Sequence, residues 1–393
     1  MYKQIFLKRG KEESLKRFHP WIFSGAIHHM DEGIEEGETV RVITAAGEFI
    51  AVGHYQIGSI AVRVLSFEDI EINTDFWCER LQSALDVRIG VGIADSPTNN
   101  TYRLVHGEGD YLPGLVIDCY GSTAVMQAHS VGMHVCRNEI CQALVQVMGN
   151  RIANVYYKSE TTLPYKADLH QENGFLVGGD ASNVAIENGL KFHIDWLRGQ
   201  KTGFFVDQRE NRSLLEHYAK GKSVLNMFCY TGGFSVYAMR GDAKQVHSVD
   251  SSAKAIELTN DNVALNFPGD ARHEAFCEDA FKYLDEHDQQ YDLIVLDPPA
   301  FAKHRAALRN ALKGYTRLNV KGLQRIKKGG ILFTFSCSQV VTKDNFRNAV
   351  FTAAAQVGRK VRILHQLHQP ADHPINIYHP EGEYLKGLVL YVE

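Results

Sequence analysis

The hydrophobic pattern changes character along the chain. Up to about residue 72, short runs of alternating apolar and polar positions occur at Thr39–Ile43, Glu48–His54 and Ile60–Phe67, separated by glycines. They predict a small β-rich domain over 1–72. From 75 to 91 apolar residues recur at helical spacing (Phe76, Leu81, Leu85, Ile89), and strand-like runs follow at Tyr102–Val105, Leu115–Tyr120 and Thr123–Ala128. A helix over about 131–148, apolar at Val135, Ile140, Leu144 and Val147, and a strand at Val155–Lys158 complete a middle α+β domain, 73–185.

Beyond about 186, near-continuous apolar runs alternate with helical ones. Strands are predicted at Val224–Phe228, Val246–Asp250, His273–Cys277, Leu293–Asp297, Ile331–Ser336 and Gly387–Val392, with helices at 233–239, 253–265 and about 305–326. Strands apolar on both faces and interrupted by helices make a doubly wound parallel sheet covered on both sides. The third domain, 186–393, is therefore α/β and Rossmann-like.

Composition narrows the function. A chain of 393 residues with 45% apolar and 22% charged residues is an ordinary globular chain of two or three domains. The net charge of -4 excludes a uniformly basic nucleic-acid coat but leaves room for a local basic patch. Charge is already uneven: residues 1–30 carry Lys3, Lys8, Arg9, Lys11, Lys16 and Arg17 against Glu12 and Glu13, whereas 31–75 are strongly acidic. No run approaches the ~20 apolar residues of a membrane helix, and the first residues lack a secretory core. The seven cysteines form no CxxC pair, and the histidines show no HxxxH spacing. Reduced thiols, a cytoplasmic location and no metal are the expectation. A monomer and a homodimer are both left open.

Candidate chemistry gathers at the strand ends. Val224–Phe228 runs into Cys229-Tyr230-Thr231-Gly232-Gly233-Phe234, where glycines let a backbone approach a ligand closely before a helix begins. The next strand ends in Asp250, followed by Ser251, at a position suited to ribose hydroxyls; the third leads to Asp279 and Ala280, where an acid can accept from an adenine amine; the fourth ends in Asp297-Pro298-Pro299-Ala300-Phe301. Each acid alone reads as a helix cap, and each glycine pair as a turn. Four such features, all at C-terminal strand ends, point to a nucleotide-like cofactor.

These segments (NMFCYTGGF at 226–234, VDSS at 249–252, CEDAF at 277–281, LDPPAF at 296–301, FSCS at 335–338) resemble the motif series of class I S-adenosylmethionine methyltransferases. With HPWIFSGAI (19–27), LPGLVID (112–118), KTGFFVDQRENR (201–212), ADHP (371–374) and PEGEYLKG (380–387), the chain is similar to the bacterial PUA-domain-containing 23S ribosomal RNA cytosine-5 methyltransferases over nearly its whole length. The resemblance implies a PUA domain, a middle α+β domain and a catalytic domain. It implies S-adenosylmethionine held by Phe228, Tyr230, Thr231, Gly232, Gly233, Phe234, Asp250, Ser251, Asp279, Ala280 and Asp297, and chemistry carried by Asp297 and Cys337.

The chemistry itself asks for such residues. Carbon 5 of cytosine is a poor nucleophile until a thiolate adds to carbon 6; a base then removes the carbon 5 proton and the enzyme leaves. Cys337 directly follows the apolar strand Ile331–Ser336 and lies between Ser336 and Ser338, which suits that thiolate. Cys229, in the cofactor loop, is its rival, and Cys78, Cys119, Cys136, Cys141 and Cys277 read as small core hydrophobes. Asp297 could hydrogen-bond the cytosine ring at N3.

Residues 303–328 carry nine basic residues and no acid. Arg305, Arg309, Lys313, Arg317, Lys321 and Arg325 recur every fourth residue, a stripe that drifts about 40° per step around a helix. A solvated face would mix signs for i,i+4 pairing; one sign alone suggests phosphate, here ribosomal RNA. In KTGFFVDQRENR, Lys201, Gln208 and Arg209 read either as a cover for cofactor or RNA or as a turn and helix start. Two further functions compete with cytosine-5 transfer: methylation of an exocyclic amine of RNA or of a small molecule, and RNA binding without catalysis. Cys337 and the intact acids argue against them.

Overall fold

The computed structural model describes residues 2–164, 169, 172–180 and 182–393. The chain gathers into two compact units. One comprises 1–186, 194–206 and 371–382, the other 187–193, 207–370 and 383–393.

The described residues of the first unit include two sheets of five or more strands. A six-stranded sheet runs in the spatial order Trp21–Phe23, Ile60–Ser66, Phe49–Tyr55, Thr39–Ile43, Gln4–Leu7, Ile27–Met30. Alternation along the strands buries Ile5, Leu7, Val40, Val42, Val62 and Val64 in one small core. The strands at 4–7, 21–23 and 27–30 are too short to show a period and went unpredicted. The second sheet has five strands, with Thr101–His106, Leu115–Tyr120 and Thr123–Ala128 near their expected places.

Two apolar assignments in this unit need correction. Helix Thr74–Gly90 buries Phe76, Trp77, Leu81, Ala84, Leu85 and Arg88, while Ile89 is exposed. The buried stripe passes through position 88, so an arginine enters the interior, where Asp110 takes its guanidinium in a bidentate pair. The helix expected over 131–148 is two, Val131–Val135 and Arg137–Met148, and Val135 is exposed at the break.

The second unit is a seven-stranded sheet of β1 (Ser223–Met227), β2 (Gln245–Asp250), β3 (His273–Cys277), β4 (Tyr291–Leu296), β5 (Ile326–Ser336), β6 (Val361–Leu367) and β7 (Lys386–Val392). Their spatial order is β3-β2-β1-β4-β5-β7-β6. The first five run parallel, and β7 lies antiparallel between β5 and β6. Helices α1 (Arg209–Ala219), α2 (Gly233–Arg240), α3 (Ala253–Asn266), α4 (Ala280–Glu286), α5 (Leu308–Arg325) and α6 (Lys343–Val357) connect the strands. Leu225, Met227, Ile294, Leu296, Leu332 and Leu390 form the centre of the core. The strand order reverses between β1 and β4, which opens a crevice at their C-terminal ends.

Candidate active site

The loop after β1 is built for close approach. Phe228, Tyr230 and Gly232 all have positive φ, at 60°, 47° and 75°. A Cβ on Gly232 would stand 2.7 Å from Thr259 Cγ2 of α3, so this position has room for no side chain. Thr259 Oγ1 donates to the Tyr230 carbonyl at 2.9 Å, and Asn262 Nδ2 to that of Thr231 at 2.9 Å. Gly233 opens α2, and Phe234 is buried behind it.

Asp250 ends β2 and does two jobs. One carboxylate oxygen accepts from Tyr230 N at 3.0 Å and the other from Ser252 N at 2.9 Å, which ties the glycine loop to the strand end. Each oxygen keeps a further lone pair for a ribose hydroxyl. Ser251 is exposed beside it. Asp279 caps α4, and its Oδ1 accepts from Phe281 N and Lys282 N at 3.0 Å each. Both cap bonds fall on one oxygen of this exposed residue, and Ala280 is buried in the first turn. Capping and ligand holding are therefore compatible.

Asp297 and Cys337 stand at the ends of adjacent strands, because β4 and β5 pair in parallel with Leu296 beside Thr334. The Cys337 sulfur is 4.0 Å from the Pro298 carbonyl oxygen. Asp297 Oδ2 accepts from Gln208 Nε2 at 3.0 Å, and Gln208 Oε1 accepts from Asn211 Nδ2 at 2.6 Å. Tyr315 of α5 clamps the cysteine segment: its hydroxyl accepts from Ser336 Oγ at 2.9 Å and pairs with Ser338 Oγ at 3.2 Å. Ser338 Oγ also accepts from Ala302 N at 3.2 Å, and Phe301 packs on the Tyr315 ring at 4.6 Å.

Residues 166–376 match the family described as S-adenosylmethionine-dependent methyltransferase, and residues 5–67 match a PUA-like domain. The chain is 41% identical to the ribosomal RNA large subunit methyltransferase I of Tolumonas auensis, covering 99% of each protein. It is 40% identical to that of Vibrio parahaemolyticus, covering 100% of each. SMU.776, a protein described as a methyltransferase and solved complexed with SAH, superimposes with a TM-score of 0.85 at 25% identity over 99% of each chain.

The chain belongs to the ribosomal RNA large subunit methyltransferase I family.

In this methyltransferase the cofactor is S-adenosylmethionine, and the residues fit it: a glycine loop with no room for a side chain, and acids at the ends of the next two strands. The cysteines separate by environment. Burial pushes the Cys229 thiol up to about 12, and its sulfur lies 3.6 Å from Thr259 Oγ1. Burial likewise raises Cys119 and Cys136 to about 12 and Cys141 to about 11. Cys277 was expected in the core, yet it is exposed because β3 is the edge strand. Cys337 is half-buried.

The basic stripe of the methyltransferase divides. Arg305 sits on a turn ahead of α5 and, with Arg309, Lys313 and Arg317, is exposed. Arg309, Lys313 and Arg317 line a groove of about 560 Å³ between α5 and α6, and the Arg317 guanidinium also lies 4.2 Å from the Phe281 ring centre. Lys321 pairs with Asp285, and Arg325 with Asp288 at 3.0 Å and with the Leu284 carbonyl at 2.9 Å. The lower half of the stripe thus fastens α5 to α4. Arg209 is buried, and the Lys201 ammonium lies 4.8 Å from the Phe205 ring centre. No helix among the described residues is long and apolar enough to cross a membrane, and none of their His, Cys, Asp and Glu side chains form a group of three that could hold a metal. Gln208 is left without a firm role by the sequence and Tyr315 goes unread there; no spacing rule marks a side chain that bonds to a site residue rather than lining the site.

Proposed function

We propose that the protein methylates carbon 5 of a cytosine in large-subunit ribosomal RNA, in the cytoplasm, through a transient bond between Cys337 and carbon 6. S-adenosylmethionine supplies an electrophilic methyl group. The thiolate of Cys337 adds to carbon 6, and the ring electrons move to carbon 5, which takes the methyl. A base takes the carbon 5 proton, its bonding electrons return to the ring, and the carbon–sulfur bond breaks to release the Cys337 thiolate, with S-adenosylhomocysteine as the other product. Asp297 is assigned to the cytosine ring at N3, with Oδ2 accepting from Gln208.

The observation that carries this reading is the placement of a half-buried thiol 4.0 Å from the Pro298 carbonyl, beside Asp297, with Cys229 buried and its thiol raised. The names of the full-length relatives support large-subunit RNA as substrate. Phosphate contacts are assigned to Arg305, Arg309, Lys313 and Arg317. RNA contact by the N-terminal domain, 1–72, and a three-domain division with boundaries near 72 and 185 complete the proposal. Nucleoside analysis of 23S RNA from cells with and without the chain tests it. Loss of one 5-methylcytosine is expected, and loss of an N-methylated base instead would overturn it.

A further inference from the structure

Lys386 begins the apolar strand β7 and is 5% exposed. It stands opposite Ser336 in the antiparallel ladder with β5, one position from Cys337. Its ammonium donates to the Ser338 carbonyl at 2.6 Å and to the Val341 carbonyl at 2.8 Å, both on the segment that follows the cysteine. An ammonium has three donors, so one remains after these two bonds.

We propose that Lys386 is a positioning residue that keeps Cys337 in its thiolate form, a fixed buried cation whose partner charge is the sulfur. The proposal rests on the reading of Cys337 as nucleophile and adds how that nucleophile is made.

A buried ammonium without an anion is costly, so the groups around it decide what balances it. Glu383, on the segment before β7, is partly exposed and paired with Lys343 at the start of α6. Tyr315 from α5 stays a neutral phenol, because burial raises it and its hydroxyl is bonded to Ser336 and Ser338. Cys337, just past the end of β5, is the other ionisable group among the described residues that favours the ammonium. Burial pushes the Lys386 ammonium down to about 8, Lys343 pushes the same way, and Cys337 and Glu383 pull it back up. Attraction is mutual: what favours the ammonium beside the sulfur favours the thiolate beside the ammonium. Below about pH 8 the lysine keeps its charge, and above it the support is withdrawn. The thiolate then adds to carbon 6 without first passing a proton to a base, and leaves as a thiolate at the end of the cycle.

The test is alkylation of the full chain with iodoacetamide between pH 5.5 and 9.5, reading the Cys337 peptide by mass spectrometry. In the wild type its midpoint should lie at least about one unit below the ~8.5 of a free thiol. Lys386→Met and Lys386→Gln should raise the midpoint and slow alkylation at pH 7 about tenfold, and Lys386→Arg should restore most of the rate. A wild-type midpoint at or above that of a free thiol overturns the proposal whatever the variants do, as does a midpoint unmoved by Lys386→Met in a folded protein. The outcome is separable from the reading it rests on. If Cys337→Ala still methylates RNA, the nucleophile is wrong, while a low midpoint that depends on Lys386 would stand.

Discussion

Gln208 joins its amide to Asp297, 3.0 Å from Nε2 to Oδ2, with its own oxygen held by Asn211 at 2.6 Å. The second bond fixes which end of the amide faces the carboxylate, so Asp297 meets a donor and its Oδ2 is kept an acceptor. Gln208→Glu keeps the shape and replaces that donor with a second carboxylate. A like charge at this distance raises proton affinity. The acid limb of the pH profile for methyl transfer should move to higher pH, and kcat at pH 7 should fall at least tenfold, about 1.4 kcal/mol in barrier. An unchanged profile would detach Gln208 from the chemistry.

The Gly232 cradle gives a test by rescue. Gly232→Ala combines a φ of 75° with a contact of 2.7 Å to the Thr259 methyl. S-adenosylmethionine affinity, read by calorimetry, should fall by about 1–3 kcal/mol, the range of a strained backbone position. Thr259→Ser removes that methyl but keeps the hydroxyl that donates to Tyr230, so adding it to Gly232→Ala should recover part of the loss. No recovery would mean that backbone strain, not the contact, limits the loop.

The two halves of the stripe should behave differently. Changing Arg309, Lys313 and Arg317 to Gln should flatten the salt dependence of RNA affinity, since each lost phosphate contact removes about 0.7–0.9 from the log–log slope. Changing Lys321 and Arg325 to Gln should leave the slope alone and lower the melting temperature, because these two join α5 to α4. Equal slopes for both triple and double variants would make the division meaningless for RNA.

His54 gives the first unit an acid sensitivity. It is 2% exposed, and burial pushes its imidazole down to about 4, with Arg63 acting the same way. The unfolded chain binds this proton near pH 6.5 and the folded chain does not, so stability is complete above 6.5 and declines as pH falls toward 4, by up to about 1.4 kcal/mol per pH unit. Urea unfolding between pH 7 and 4 checks it, and His54→Gln should flatten the slope. A slope that persists in the variant would put the acid sensitivity elsewhere.

Much of this arrangement could be read from residues alone, for identifiable reasons. β1, β2 and β3 are compact apolar runs with a turn or an acid at the end, and they lie within a residue or so of expectation. α6 escaped because its buried face is Phe346, Ala349, Val350 and Ala353, and alanines carry little hydrophobic signal. β6 escaped because it is an edge strand with most of its residues exposed. The stripe was visible as a period of four, but only the fold brings Asp285 and Asp288 to its lower half. Lys386 lies one place before the strand predicted at Gly387–Val392, and only the antiparallel pairing of β7 with β5 brings it opposite Ser336.

If the Cys337 sulfur bonds to carbon 6 of a cytosine during methyl transfer, a trapped adduct reports that bond directly. RNA containing 5-fluorocytosine should trap the wild-type protein as a stable adduct with S-adenosylmethionine present, because fluorine blocks the deprotonation that releases the enzyme. Denaturing electrophoresis and peptide mapping read the adduct. The expected result is an adduct on the Cys337 peptide that disappears in Cys337→Ala and persists in Cys229→Ala. An adduct that survives Cys337→Ala, or is lost only in Cys229→Ala, would contradict the account.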